Sequence, residues 1–197
     1  MFWYEDEIKR LEKQRAEMNY QPATLFYGSS SIRLWAGLAD DFRDFKPVNL
    51  GFGGSTLAAC TWFFDRAMTG YQPERLILYA GDNDLGDGRH PEEVFIFFQE
   101  FTERVTKRFG SLPCYFISLK PSINRWPMVD QFTYTNEIIA AEIKNNHPDW
   151  RWIDIFSAML NIDGHPNTEY YLNDGLHLSE KGYLIWKNTI QNALINR

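Results

Sequence analysis

Five short apolar runs, each followed by a segment of helical character, constrain the fold of this chain more than any other feature. The clearest run spans residues 74–80, where Leu76, Ile77, Leu78 and Tyr79 are consecutive, as in a strand buried on both faces. The same pattern predicts strands at residues 24–27, 47–50, 74–80, 114–119 and 150–155. Strands that alternate with helices form a parallel sheet with right-handed crossovers. We therefore expect an α/β fold: a three-layer α/β/α sandwich around a five-stranded parallel sheet.

The segments between these runs have the periodicity of amphipathic helices. Residues 1–20 are predicted to form a flanking helix that places Tyr4, Ile8 and Leu11 on one face. Further helices are predicted at residues 31–39, 57–68, from Pro91 onward, at 129–145 and at 179–195. No repeat or linker divides the chain, so we expect residues 1–197 to form a single domain. Residues 156–178 fit no regular element, and irregular connections of this length are usually functional.

Composition and charge narrow the classes of partner. The net charge is −6 and no Lys/Arg cluster is present, which disfavours nucleic acid and anionic membranes. No segment approaches the roughly 18 apolar residues of a membrane span, and the N-terminus is unlike a signal peptide. We expect a cytoplasmic protein that acts on a small molecule, without a metal or organic cofactor, and leave a homo-oligomer open. Cys60 and Cys114 match no metal or redox spacing and are expected to be buried thiols.

The first apolar run ends at a glycine followed by three serines. Gly28, Ser29, Ser30 and Ser31 join the first predicted strand to a predicted helix. A hydroxyl at such a corner lies beside helix N–H groups that have no partner and can hold a developing oxyanion. This favours an activated serine, although Ser29 or Ser31 could instead simply cap the helix.

A serine nucleophile needs a base and a group that orients the base. His177 precedes the last predicted helix, and Asp174 lies three residues before it, close enough to accept a hydrogen bond from the His177 Nδ1–H. An Asp-Gly turn with an incidental histidine is the alternative interpretation. The other histidines are predicted to be turn residues: His90, His147 and His165.

Candidate oxyanion donors follow three neighbouring strands. They are the Ser30 backbone N–H, the Gly54 N–H in a glycine-rich turn and the Asn83 side-chain amide. Each alone is ordinary turn chemistry.

In this order, these residues resemble the SGNH (GDSL-like) hydrolase superfamily of esterases and lipases. The matching segments are Gly28-Ser29-Ser30-Ser31, Asn49-Leu50-Gly51-Phe52-Gly53-Gly54, Gly81-Asp82-Asn83-Asp84 and Asp174-Gly175-Leu176-His177. The resemblance implies a flavodoxin-like SGNH hydrolase fold, with Ser30 as nucleophile, His177 as base and Asp174 as acid. It makes Ser30, Gly54 and Asn83 the oxyanion donors and leaves Ser31 as a helix cap. Ser29 departs from the family, which usually has aspartate at this position.

The sequence therefore predicts a serine esterase that hydrolyses a carboxylic ester through an acyl-enzyme. Charged and aromatic residues at the predicted strand ends favour a short-acyl, acetyl-type ester of a polar or carbohydrate-like substrate. The residues expected to contact the substrate are Arg33, Phe52, Asp82, Asp84, Lys120, Arg125 and Trp126. The alternatives are a thioesterase or lysophospholipase of the same superfamily and a non-catalytic sugar-binding relative.

Overall fold

A parallel β-sheet forms the centre of the computed structural model, which describes residues 1–196. Its strands are β1 (Thr24–Gly28), β2 (Pro47–Gly51), β3 (Arg75–Tyr79), β4 (Cys114–Ile117) and β5 (Trp150–Ile153). The strand order is β2-β1-β3-β4-β5, and every neighbouring pair is parallel. The predicted α/β fold is confirmed, and β3 is the central strand.

Helices cover both faces of this sheet. The α-helices are α1 (Glu5–Glu17), α2 (Ser30–Arg33), α3 (Leu38–Asp41), α4 (Leu57–Trp62), α5 (Phe64–Ala67), α6 (Asp82–Gly86), α7 (Pro91–Phe109), α8 (Val129–Asn146) and α9 (Glu180–Ile195). Short 3-10 turns lie at Phe2–Tyr4, Arg43–Phe45, Trp126–Met128, Ser157–Met159 and Thr168–Tyr170. Within residues 1–196, no helix combines the length and the apolar character needed to cross a bilayer.

Alternation along the strands divides the interior into two cores. Leu25 and Tyr27 of β1 pack with side chains of α1, α4, α5, α7 and α8. Phe26, which points to the opposite face, packs with side chains of α2, α3 and α9. The three layers follow directly from this alternation. Cys60 and Cys114 are buried free thiols in the first core, as predicted.

Several predicted boundaries are wrong. The helix expected at 31–39 is two short helices, α2 and α3, because Gly37, a poor helix former, separates them. The helix expected at 57–68 breaks at Phe63, where Phe63 and Phe64 both enter the core. Strands β3, β4 and β5 end at residues 79, 117 and 153, one or two residues before their predicted ends.

Ser31 does not cap α2, contrary to the prediction. Ser29 occupies the N-cap position, and its side chain makes no capping hydrogen bond. The Ser31 hydroxyl is buried and has no hydrogen-bond partner. The helix therefore begins one residue earlier than predicted, at Ser30.

The strand order places the expected site at one edge of the sheet. Ligands of open parallel sheets bind beyond the carboxyl ends of the strands, where the strand order reverses. Here that point lies between β1 and β3, so the segments after Gly28 and after Tyr79 meet there.

Gly28 allows this close meeting. Its φ is +140°, and a Cβ at this position would lie 1.9 Å from the Tyr79 carbonyl oxygen. We expect Gly28→Ala to lower the free energy of unfolding by about 3 kcal/mol or more, because both the backbone conformation and the strand contact are lost. Urea denaturation measures the change. Gly53→Ala is the control, because a Cβ there meets no atom within 4 Å; equal losses for the two variants would contradict the account.

Candidate active site

The turn after β1 presents Ser30 at the start of a helix. Ser29 is fully buried, whereas Ser30 is partly exposed. The Ser29 N–H donates to the Tyr79 carbonyl at 2.9 Å, which ties the turn to β3. The Ser30 N–H has no partner among the hydrogen bonds of the described residues. Ser30 thus combines an accessible hydroxyl with a free backbone donor.

Asp174 holds His177 in one orientation. The Asp174 Oδ2 lies 2.6 Å from the His177 Nδ1, and its Oδ1 accepts the backbone N–H groups of Leu176 and His177, both at 2.9 Å. These contacts, led by the hydrogen bond from His177, lower the pKa of Asp174 to about 2. An ionised carboxylate on Nδ1 favours the tautomer with its proton there, which leaves Nε2 as the acceptor.

The loop that carries His177 leads into α9, which contacts the serine turn. The Leu172 N–H donates to the His177 carbonyl at 2.8 Å. From α9, the Tyr183 hydroxyl donates to the Ser31 carbonyl at 3.0 Å, next to Ser30. Among the described residues, no direct hydrogen bond joins the Ser30 and His177 side chains. Catalytic hydrogen bonds are often long before substrate binds and shorten in the complex.

A hydrogen bond joins the predicted oxyanion donor Asn83 to the residue after another predicted donor, Gly54. The Asn83 Nδ2 donates to the carbonyl of Ser55, the residue after Gly54, at 3.0 Å. Gly54 is exposed with φ +67°, and its N–H has no partner among the described hydrogen bonds. The Asn83 amide carries a second N–H that this bond does not use. The segments that follow β2 and β3 therefore place Gly54 and Asn83 close to each other.

Arg125 fixes the other end of the Asn83 side chain. Its Nη2 donates to the Asn83 Oδ1 at 2.9 Å, and its Nη1 donates to the Asp82 carbonyl at 2.7 Å. Sequence reasoning predicted Arg125 as a substrate contact, but these donors are already engaged by the protein.

A buried charged cluster lies below the serine turn. Lys120 and Asp82 are 2% and 3% exposed, and Lys120 Nζ lies 3.1 Å from Asp82 Oδ2. The same Oδ2 accepts from the Tyr79 hydroxyl at 3.0 Å, and the Ser29 Oγ lies 3.5 Å from Oδ1. Burial opposes ionisation of Asp82, but the charges of Lys120 and Arg125 outweigh it and hold its pKa below the ordinary value. Burial lowers the pKa of Lys120.

Four residues predicted to contact substrate are inside the protein, which corrects that prediction. Phe52, Asp82, Asp84 and Lys120 are each at most 3% exposed. Asp84 accepts the N–H groups of Leu57 at 2.5 Å and Ala58 at 3.3 Å, so it caps α4. Burial raises the pKa of Asp84 to about 6. These side chains are therefore part of the protein interior and are not exposed to a substrate.

The two remaining predicted substrate contacts are partly accessible to solvent. Arg33 is partly exposed and pairs with Glu7 at 3.2 Å. Trp126 is partly exposed, and its ring lies 5.3 Å from that of His165.

Comparisons with known proteins identify the family of the chain. A model of the GDSL-like lipase/acylhydrolase family matches residues 23–185. The chain belongs to this family. Members are hydrolases that act on ester bonds, and the match includes every segment of the predicted site. A comparison with curated proteins returned no significant match.

Solved structures share the fold of this GDSL-like hydrolase at low sequence identity. One, from Streptococcus pneumonia and provisionally described as a platelet activating factor, has a TM-score of 0.87 and 19% identity over 96% of this chain and 92% of that one. A provisionally described acylhydrolase from Bacteroides fragilis has a TM-score of 0.82 and 20% identity, covering 95% of each chain. A GDSL-like lipase from Bacteroides thetaiotaomicron has a TM-score of 0.80 and 19% identity, covering 96% of this chain and 97% of that one.

In this GDSL-like hydrolase the N-terminal segment braces the site, which sequence reasoning missed. The Tyr4 hydroxyl donates to the Gly54 carbonyl at 2.9 Å, and Arg10 donates to the Gly51 carbonyl at 2.7 Å. The helical periodicity of residues 1–20 indicated a flanking helix, but polar contacts across 40 or more positions leave no local pattern.

The buried ion pair gives a testable prediction. We expect Lys120→Met to lower the free energy of unfolding by about 3 kcal/mol, because Asp82 loses its nearest cation in a buried setting. Urea denaturation measures the loss. Lys181→Met is the matched control: its pair with Glu169 is more than 60% exposed on both sides, so a loss of about 0.5 kcal/mol or less is expected. An unchanged Lys120→Met midpoint would contradict the account.

Proposed function

We propose that this chain is a serine esterase in which Ser30, His177 and Asp174 form a catalytic triad. The observation that carries the proposal is the Asp174–His177 contact of 2.6 Å in a loop that leads into α9, whose Tyr183 hydroxyl donates to the Ser31 carbonyl next to Ser30. In the first step the Ser30 Oγ attacks the ester carbonyl carbon while the His177 Nε2 takes its proton. The tetrahedral oxyanion accepts hydrogen bonds from the Ser30 N–H, the Gly54 N–H and the Asn83 amide.

Collapse of this intermediate breaks the bond to the alcohol, which leaves with the proton from His177. The Ser30 acyl-enzyme then reacts with water, which loses a proton to His177 as its oxygen bonds to the acyl carbon. The second collapse releases the carboxylic acid and returns the proton to Ser30. Throughout, the Asp174 carboxylate stabilises the imidazolium.

The substrate we propose is a short-acyl, acetyl-type ester of a polar or carbohydrate-like alcohol. The support is the cationic and aromatic character of Arg33 and Trp126, two predicted substrate contacts that are partly exposed. The Trp126 ring beside His165 offers a face on which a sugar ring can stack.

A specific feature favours a second candidate, a thioesterase or lysophospholipase with a longer acyl chain. A groove of about 460 Å³ runs beside α2 and the His177 loop, and its lining includes Leu34, Leu172 and Leu184, each at least half exposed. Leu34 lies one helical turn after Ser30, whose carbonyl accepts the Leu34 N–H, and Leu178 of the lining directly follows His177. An apolar chain could lie along it.

A panel of p-nitrophenyl and coenzyme A esters with two to twelve acyl carbons, together with glucose pentaacetate, separates the two. We expect kcat/KM to be highest for acetyl esters, to fall at least about tenfold by eight carbons, and to include release of acetate from the sugar. Each methylene buried in an apolar groove contributes about 0.8 kcal/mol, so a steady rise of kcat/KM with chain length would favour the second candidate. No hydrolysis of any ester would instead indicate a non-catalytic relative.

A further inference from the structure

We infer that Arg125 is a positioning residue that orients the Asn83 amide as an oxyanion donor, an inference that rests on the proposed function. Its guanidinium makes two hydrogen bonds to consecutive residues, to the Asp82 carbonyl at 2.7 Å and the Asn83 Oδ1 at 2.9 Å. A guanidinium donates to two acceptors in a fixed fork, which an ammonium cannot reproduce.

The fork determines which end of the Asn83 amide faces the site. With Oδ1 held by a cation, Nδ2 points toward the Ser55 carbonyl and the segment of Gly54. The reversed amide would place an N–H group against the guanidinium, where two donors meet. The positive charge of the guanidinium beside Oδ1 also draws electron density from the amide, which makes the remaining N–H of Asn83 a stronger donor.

The guanidinium is itself tightly confined. A Cβ added to Gly86 would lie 2.7 Å from the Arg125 Cζ, so the side chain crosses α6 only because residue 86 has no side chain. Asp82 Oδ2 lies 3.6 Å from Arg125 Nη1 and adds an ionic contact. Arg125 thus has one well-defined place in the structure.

The segment around Arg125 also holds the loop of the acid and base. The Asn124 N–H donates to the Gly175 carbonyl at 3.0 Å, and the Tyr171 hydroxyl donates to the Pro121 carbonyl. One short stretch after β4 therefore contacts both the oxyanion side of the site and the Asp174–His177 side. Within this stretch, Asn124 and Pro121 make the contacts to the Asp174–His177 loop, and Arg125 makes the contacts to Asp82 and Asn83.

A double-mutant cycle on p-nitrophenyl acetate tests the inference. Arg125→Lys keeps the charge and loses the fork; we expect kcat to fall about tenfold with KM within about twofold, as for a group that acts only in the transition state. In the Asn83→Ala background, which itself costs about 10²-fold or more in kcat, the same change should lower kcat by less than about twofold. Gly86→Ala, which displaces the guanidinium without altering its charge, should reproduce the loss of Arg125→Lys.

The controls separate positioning from folding and from substrate contact. Arg43→Lys, at an exposed pair with Asp40, should leave kcat unchanged, and the urea midpoint of each variant shows that it folds. An equal loss of kcat with and without Asn83 would overturn the inference, as would a rise in KM with unchanged kcat, which indicates direct substrate binding. A wild-type protein that hydrolyses no ester would reject the proposed function and the inference together; additivity in an active enzyme rejects the inference alone.

Discussion

Ser30→Ala is expected to lower kcat/KM for p-nitrophenyl acetate by about 10⁴-fold or more. The methyl group cannot form the acyl-enzyme, and removing any member of a serine triad leaves only the catalysis that the oxyanion donors and binding provide. Steady-state kinetics measures the loss. Ser31→Ala is the matched control, because the Ser31 hydroxyl is buried and makes no hydrogen bond; its kcat/KM should stay within about threefold of the wild type.

The two variants distinguish which of two adjacent serines in the same helix is the nucleophile. Activity retained in Ser30→Ala would reject Ser30 as the nucleophile. Activity lost in Ser31→Ala, with the fold intact by urea denaturation, would mean that the turn was assigned one residue too early.

Asp174→Asn is expected to lower kcat by about 10³- to 10⁴-fold. The variant preserves the shape of the side chain, but an amide on the Nδ1 side favours the wrong tautomer of His177. Kinetics at saturating substrate measures the change. Asp163→Asn, an exposed aspartate in the same irregular stretch, is the control and should be unchanged. Equal activities for Asp174→Asn and the wild type would exclude the proposed acid.

The low pKa of Asp174 determines the pH range in which its carboxylate is ionised. Since this pKa is about 2, the carboxylate stays ionised over the whole range in which esters are conveniently assayed. Its lowered pKa contributes stability that is present above the ordinary aspartate value, near pH 4, and is lost as the pH falls toward 2. The contribution is small, because the side chain is 47% exposed. We therefore expect no inflection of kcat/KM from Asp174 above about pH 4.

The parts of the site that sequence reasoning reached depend on local chemistry. Ser30 begins a helix two residues after a strand that ends at a glycine, and Asp174 reaches His177 across three positions. The fold was equally accessible, because alternation of apolar runs and helical segments predicts a parallel sheet. The order of the strands could not be predicted, because local patterns do not indicate which strands pair. The short breaks at Gly37 and Phe63 could not be predicted either, because propensity locates the ends of elements poorly.

The parts that were missed depend on distance along the chain. Lys120 and Asp82 are charged residue types that are usually exposed. Only the three-dimensional structure reveals that they form an ion pair inside the protein. Tyr4 reaches Gly54 across 50 positions, and Arg125 reaches Asn83 across 42. Such pairs have no local signal, since the chemistry of one partner does not indicate where the other lies.

Mass spectrometry after reaction with a fluorophosphonate probe tests the central claim most directly. The probe phosphonylates an activated serine, so its site reports the nucleophile without any assumption about the substrate. We predict one adduct per chain, located at Ser30 by peptide mapping, absent in Ser30→Ala and strongly slowed in Asp174→Asn. An adduct on another residue, or an unlabelled wild-type protein, would contradict the account.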